Sequence, residues 1–486
     1  MLFNSYIFLI GFLPITLLAY FALGQHSLRS ALAFLWAASL FFYAWWDPRY
    51  LLLISASIAF NYFAGRHLLQ MSARGNARHA RSWLLGLAVA ANVGLLAVYK
   101  YTDFFITAFS QITGADYPLL HLVLPLGISF FTFTQIAFLV DASKGQVESL
   151  SLTNYGLFVS FFPHLIAGPI LHHREMMPQF AKPDATRFNS EHFALGLFLL
   201  CLGLAKKLGI ADQFAPLANT GFSNWRELDM AAAWLASLAY TIQLYFDFSG
   251  YTDMALGLGW MFNIKLPQNF NSPYKAINIQ DFWRRWHITL SRFLRDYVYL
   301  PLGGNRSSKY STLGNLFVVF LLGGLWHGAG WTFVLWGALH GAALVLQRIW
   351  TWSGLAMYRW FAWALTFVFV NFAWVYFRAT TIEQANGLCL KMLGLSSSLK
   401  TAIDPTQLFA VAAAQAQGLF GSNTAPAGFV LTAYGATLSL LWLAPSSIQL
   451  VSRFRPSATL GFVAGTALAL ALLSLHQSTE FLYFNF

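Results

Sequence analysis

The 486 residues describe an all-α polytopic membrane protein, and three features say so. Hydrophobic residues make up 57% of the chain and charged residues only 10%, where an ordinary soluble domain carries about 25% charged. The apolar residues come in continuous runs near the ~20 residues a helix needs to cross a bilayer. Those runs do not alternate over about 10 residues, as the strands of a membrane β-barrel would. With 47 Phe, 20 Tyr and 18 Trp and a mean hydropathy of +0.56, the composition excludes a disordered chain, a secreted disulfide scaffold and an ordinary cytosolic enzyme.

Apolar segments fall at about 2–23, 31–46, 51–65, 83–101, 119–140, 193–212, 231–255, 312–326, 331–347, 360–377, 427–445 and 458–475. The first has no Lys or Arg before Arg29. It lacks the basic n-region of a signal peptide and reads as a retained span. Several segments are short for a straight crossing, which fits a thinned or funnelled centre, or hairpins that do not cross fully. Residues 151–171 are apolar but interrupted by Pro163, His164, Gly168 and Pro169. This is a re-entrant or kinked segment, because a broken helix survives at membrane depth only where protein or a cavity shelters its backbone. Residues 379–426 are the most polar long stretch and read as an outer loop with short surface helices. The chain carries no inverted repeat and no low-complexity linker, so 1–486 reads as a single integral-membrane domain.

Orientation follows from the basic residues, which give a net charge of +11. Arg66, Arg74, Arg78 and Arg81 mark 66–81, and Arg284, Arg285, Arg292, Arg295, Arg306 and Lys309 mark 284–309. Arg348 with Arg359 and Arg453 with Arg455 mark two more loops. Placed in the cytoplasm, they set both termini outside, with 476–486 as an outer tail. Basic residues confined to loops between apolar runs imply lipid contact and no nucleic acid. Lys206 and Lys207 fit this map poorly. Cys201 and Cys389 form no Cys-x-x-Cys pair and read as small buried residues.

Four segments depart from lipid-like sequence. Gln243, Asp247 and Asp253 lie near the end of one membrane helix, the first two an i,i+4 pair on one face. Acids at that depth face a cavity or a partner; here they face a cavity, or pair with a nearby Arg as a clamp. Residues 281–297 plot as one amphipathic helix at the cytoplasmic interface, leading into a turn up to residue 310. Arg284, Arg285, Arg292 and Arg295 share one arc and Trp283 lies on the opposing apolar arc, with His287 on the boundary. The arginines either anchor lipid headgroups or form a collar for a phosphate-bearing donor. Third, His327 sits among glycines between two short apolar segments. It is either a structural residue or a general base suited to neutral pH. No His, Cys or Asp set stands at ligand spacing around it, so no metal is expected. His340 falls on roughly the opposite helix face, and His172 and His173 point apart. Fourth, the tail Phe481-Leu482-Tyr483-Phe484-Asn485-Phe486 is aromatic. There is no His-x₄-Asp motif, Gly-x-Ser-x-Gly elbow, Walker A loop or Gly-x-Gly-x-x-Gly after a strand.

Taken together, these segments resemble the membrane-bound O-acyltransferase (MBOAT) family, in its bacterial branch that O-acetylates exopolysaccharides such as alginate. The resemblance runs through Phe-Leu-Pro at 12–14, Phe-Tyr-Ala-Trp-Trp at 42–46, Leu-Pro-Leu-Gly-Ile-Ser-Phe at 124–130 and Phe-Pro-His-Leu-Ile-Ala-Gly-Pro at 162–169. It continues through the Asp247 segment, the Trp283–His287 segment and Trp326-His327-Gly328, and weakens over 379–480. It implies a ring of about 11–12 transmembrane helices with re-entrant segments and a central tunnel. It implies His327 and His287 as catalytic residues and a multi-pass place in the bacterial inner membrane. The implied co-substrate is acetyl-CoA, with no other cofactor. The implied partners are a periplasmic Ser-hydrolase-like acetyltransferase and polysaccharide synthesis machinery, and the acceptor is a polymer such as alginate or cellulose. Peptidoglycan or a lipid-linked acceptor is the alternative. A transporter would show internal repeats and polar residues spread over several spans, and the chain shows neither. The tail resembles the aromatic C-terminal motif of the small partner peptide in the D-alanylation system, which makes Tyr483 an acyl relay; otherwise the tail is an interfacial belt or a docking peptide.

Overall fold

The protein is described from a computed structural model, which covers residues 1–74, 78–148, 150–306, 308–395, 427–475, 479 and 481–482. It is 78% helical, with no strands among the described residues. Among the described residues, five helices are long and apolar enough to cross a membrane: Ile7–His26, Arg78–Thr113, Ser190–Ser223, Trp331–Ser353 and Arg359–Arg378. Shorter apolar helices stand at Leu28–Ala44, Ile128–Ser143, Leu431–Leu443 and Ala458–Ser474. Leu18, Leu52, Leu87, Leu346, Phe361 and Phe462 are exposed on helix surfaces. So much exposed large apolar surface would be costly in water and is what a hydrocarbon surround accepts.

The chain forms two compact units. The first comprises 1–202, 251–268 and 455–475. Its helices include α1 (Leu13–His26), α2 (Leu28–Ala44), α3 (Arg49–Arg74), α4 (Arg78–Thr113), α5 (Ile128–Ser143), α6 (Leu152–Ser160), α7 (Phe162–Leu165) and α8 (His173–Phe180). Ser27 caps α2 and Ser151 caps α6, each accepting a backbone N–H three residues on. Buried polar side chains tie the apolar helices together. Asn92 Nδ2 donates to Asn61 Oδ1 at 2.7 Å and Asn61 Nδ2 donates back at 3.1 Å, joining α3 to α4. Such interhelical bonds contribute about 0.6–2 kcal/mol each in a membrane.

Of three expectations in this unit, two change and one holds. The span at 119–140 begins only at Ile128, because Pro125 interrupts the segment and Gly127 takes a left-handed turn (φ 72°). The basic stretch 66–81 is largely the ends of α3 and α4, not a loop. Residues 151–171 are a broken helix, as expected, and from Tyr155 to Leu171 they are buried in protein.

The second unit comprises 203–250, 269–454 and 476–486. Its helices include α10 (Asp212–Ser223), α12 (Ile279–Arg285), α13 (Ile288–Leu294), α14 (Lys309–His327), α15 (Trp331–Ser353), α16 (Arg359–Arg378) and α17 (Ile382–Met392). Between α9 (Ser190–Lys206) and α10 the helix widens into a π turn, Lys207–Ala211. Helix α11 (Met230–Met261) carries the Gln243–Asp253 segment. Helices α18 (Ala427–Leu443) and α19 (Ser447–Ser452) also belong to it, whereas α20 (Ala458–Ser474) belongs to the first unit. Part of the expected outer loop is helix α17, and 396–426 lies outside the described residues.

The continuous amphipathic helix expected over 281–297 is broken. α12 ends at Arg285, His287 adopts a left-handed conformation (φ 45°, ψ 53°), and α13 starts at Ile288. A helical wheel cannot anticipate this, because a left-handed residue other than glycine leaves no periodic trace. Such a residue costs of order 1–3 kcal/mol and persists only where its surroundings enforce it.

Candidate active site

Helices α14 and α15 form a tight hairpin because side chains are missing where they touch. A Cβ on Gly324 would stand 2.3 Å from the Phe333 carbonyl oxygen and 2.9 Å from Gly337 Cα. One on Gly337 would stand 2.5 Å from the Phe320 carbonyl oxygen. Glycine alone admits that approach. The turn between the helices is Gly328-Ala329-Gly330, and His327 is the last residue of α14. His327 is buried. Its ring centroid lies 4.9 Å from that of Trp326, 5.0 Å from Trp336 and 5.1 Å from Phe377.

The kink at His287 turns the second histidine into the same aromatic pocket. The two imidazole centroids are 6.3 Å apart. His287 is fully buried, not at the edge of an interfacial helix, and packs on Phe248 at 4.9 Å. Its Nδ1 lies 3.2 Å from Asn269 Oδ1, which also accepts from the Thr289 N–H and hydroxyl at 3.2 and 3.0 Å. An amide oxygen only accepts, so Nδ1 carries the hydrogen and Nε2 holds the lone pair in the neutral ring. His287 lies outside the spanning helices, and burial pushes its pKa down to about 3. It therefore stays neutral at physiological pH.

His340 joins the same pocket, against expectation. The helix break at 328–330 resets the register, so counting residues from His327 misplaces it. Its Nδ1 accepts from Trp283 Nε1 at 3.2 Å, and its ring lies 4.7 Å from Trp336. His340 Nε2 and Trp336 Nε1 are buried without a hydrogen-bond partner among the described residues. Trp283 is thus a core side chain of the pocket.

Of the four arginines, Arg285 pairs with Asp281 at 2.8 Å and Arg295 with Asp296 at 2.7 Å. Arg284 is exposed and Arg292 half-buried. Asp253 is buried in the first unit.

Gln243 and Asp247 are buried in α11. Asp247 meets a lysine, not an arginine: Lys207 Nζ lies 2.7 Å from Asp247 Oδ1 and 2.8 Å from Asp212 Oδ1, with all three buried. Two carboxylates outnumber one ammonium, and the C-terminal tail supplies further donors. The Thr479 hydroxyl accepts from Lys207 at 3.0 Å and donates to Asp212 at 2.5 Å, while the Leu482 N–H donates to Asp247 Oδ2 at 3.0 Å. Lys207 Nζ also sits 4.9 Å from the centroid of the Phe481 ring. Tyr483 lies outside the described residues.

Sequence reasoning missed Asn269, His340 and the Lys207–Asp212 pair. Lys207 left a readable signal, an ammonium inside an apolar run that demands a partner. Asn269 left none.

The comparisons agree with this architecture. The chain belongs to the MBOAT, membrane-bound O-acyltransferase, family, whose family model matches residues 106–383, and it is an enzyme of the acyltransferase class. It is similar to the peptidoglycan O-acetyltransferase of Helicobacter pylori, 49% identical over 427 residues, covering 82% of this chain and 80% of the relative. It is similar to the probable alginate O-acetylase AlgI of Pseudomonas aeruginosa, 41% identical over 392 residues, covering 79% and 73%. A more distant similarity, 30% over 273 residues and covering 52% and 68%, links it to the teichoic acid D-alanyltransferase of Bacillus subtilis. The resemblance read from the sequence is borne out.

Proposed function

We propose that this protein carries acetyl groups from cytosolic acetyl-CoA across the inner membrane for O-acetylation of an extracytoplasmic polysaccharide such as alginate or cellulose. The observation that carries the reading is the meeting of His327 and His287, 6.3 Å apart by centroid, in a buried aromatic pocket at a helix break. His327 acts as general base. It takes the proton from the acceptor hydroxyl as that oxygen bonds to the thioester carbonyl carbon; the C–S bond breaks, and coenzyme A leaves as the thiol after protonation. His287, neutral and oriented by Asn269, positions the thioester. Trp283 and the arginines Arg284, Arg285, Arg292 and Arg295 serve the donor side, Arg284 without an acid partner among the described residues.

The tail carries the second half of the reading. Leu482 is held at Asp247, which supports Tyr483 as the hydroxyl that receives the acetyl group. An aryl acetate is an activated ester, able to acylate the serine of a periplasmic hydrolase-like partner that works beside the polysaccharide synthesis machinery. A second reading, with peptidoglycan as the final acceptor, is favoured by the Helicobacter pylori relative.

The test is His327→Ala in cells, with ester-linked acetate quantified separately on exported polymer and on purified peptidoglycan. We expect a loss of about 10²–10⁴ in rate on one glycan, with the variant present in the membrane at normal level. His287→Ala should lower activity as well. Full acetylation by a normally expressed His327→Ala protein would sink the mechanism. Acetate confined to peptidoglycan in the wild type would replace the first acceptor by the second.

A further inference from the structure

A second group of side chains converges within the first unit. Asp141 lies in the last turn of α5, His172 immediately precedes α8, and His173 opens it. His172 Nε2 lies 3.2 Å and His173 Nδ1 3.3 Å from the same atom, Asp141 Oδ2. The ligand atoms of the three residues all lie within 4.8 Å of one another. The expectation that the two histidines point apart fails because His172 is extended backbone (φ −109°, ψ 132°), not helix. Both rings therefore turn to one carboxylate, with centroids 5.1 Å apart.

His173 decides the chemistry. Its Nε2 lies 3.2 Å from the Gln146 backbone carbonyl oxygen. A carbonyl only accepts, so Nε2 carries the hydrogen and Nδ1 of the neutral ring is a lone pair. That lone pair is aimed at a carboxylate oxygen, itself an acceptor. His173 is 4% exposed, and its Nδ1 has no hydrogen-bond partner among the described residues. Two buried acceptors facing each other need positive charge between them. A proton on Nδ1 would supply it through a charge-assisted bond; a metal ion would supply it to all three residues at once, and the 3.2 and 3.3 Å separations suit one. With bonds of about 2.0–2.2 Å, tetrahedral ligands stand roughly 3.3–3.5 Å from one another. The bond from His173 Nε2 to a backbone carbonyl is also the outer support that metal-ligating histidines carry.

The geometry points to a binding site for one first-row divalent transition-metal ion, held by Asp141 Oδ2, His172 Nε2 and His173 Nδ1. Two imidazoles and a carboxylate suit zinc, ferrous iron or manganese, whereas calcium and magnesium select oxygen donors. The ion would tie the end of α5 to the start of α8. This site is independent of the proposed acetyl transfer.

The full-length protein, purified in detergent without chelator, tests this by plasma mass spectrometry for zinc, iron and manganese. We expect about one ion per chain in the wild type and background levels in His173→Ala and Asp141→Asn. Because those two sites are buried, His172→Gln, at a half-buried position, guards against loss of fold. In that folded variant, zinc affinity should fall by more than about tenfold. Two results would overturn the site: wild-type protein that carries no stoichiometric metal and takes up none when offered zinc, iron or manganese, or folded His172→Gln protein with wild-type zinc affinity.

Discussion

The backbone N–H of Leu482 donates to Asp247 Oδ2 at 3.0 Å, across 235 positions of sequence. The same carboxylate holds Lys207 through its other oxygen. One acid therefore holds the Leu482 backbone and neutralises a buried ammonium.

Lys207→Met removes the ammonium and leaves Asp212 and Asp247 buried with too few donors. Breaking a buried ion pair from one side costs about 3–5 kcal/mol. The detergent-solubilised variant should melt well below the wild type, and adding Asp212→Asn should recover part of the loss. A melt unchanged by Lys207→Met would mean that the cluster contributes nothing to the fold.

Gly324→Ala and Gly314→Ala, on the same helix, should act with opposite sign. A Cβ at Gly324 strikes the α15 backbone, while one at Gly314 meets nothing within 4 Å. The first should destabilise by about 1–3 kcal/mol, and the second should stabilise by roughly 0.5–1 kcal/mol through helix propensity. Thermal unfolding of the two proteins side by side measures this, and equal effects would contradict the packing of the hairpin.

Tyr483→Phe keeps the ring and deletes the hydroxyl. If Tyr483 carries the acetyl group, polymer acetylation should be lost while the partner still co-purifies. Normal acetylation by the Phe variant eliminates the relay and leaves the tail as a docking or anchoring segment.

Orientation can be read with single cysteines in a background lacking Cys201 and Cys389, both buried. In intact cells an impermeant maleimide should spare Asn76→Cys and label Ser478→Cys. Labelling at position 76 would invert the map drawn from the basic residues.

The helices were legible because burial in lipid imposes long apolar runs, and His327 stood out because glycines flank it in an apolar setting. The meeting of His327 with His287 and His340 was not legible. Periodicity reports which face of a helix is apolar; it does not report the left-handed residue at 287 that divides the helix, nor the reset of register across Gly328–Gly330. Lys207 and Asp247 were visible singly as charges in apolar sequence. Their pairing was not, since Lys207 and Asp247 lie 40 positions apart and no local pattern encodes it.

Because the turn at Lys207–Ala211 is π-helical, residues five apart share a face there. Lys207 and Asp212 are five apart, and a regular α-turn would set them about 140° round the axis from one another. Their pairing thus depends on helical phase as well as on charge. Losing one residue between them, Gly209 for instance, would restore an α-turn and leave an i,i+4 pair still facing the same way. Gaining one would rotate the charges apart. Changes of length in this helix are therefore asymmetric: contraction preserves the pairing, and expansion undoes it.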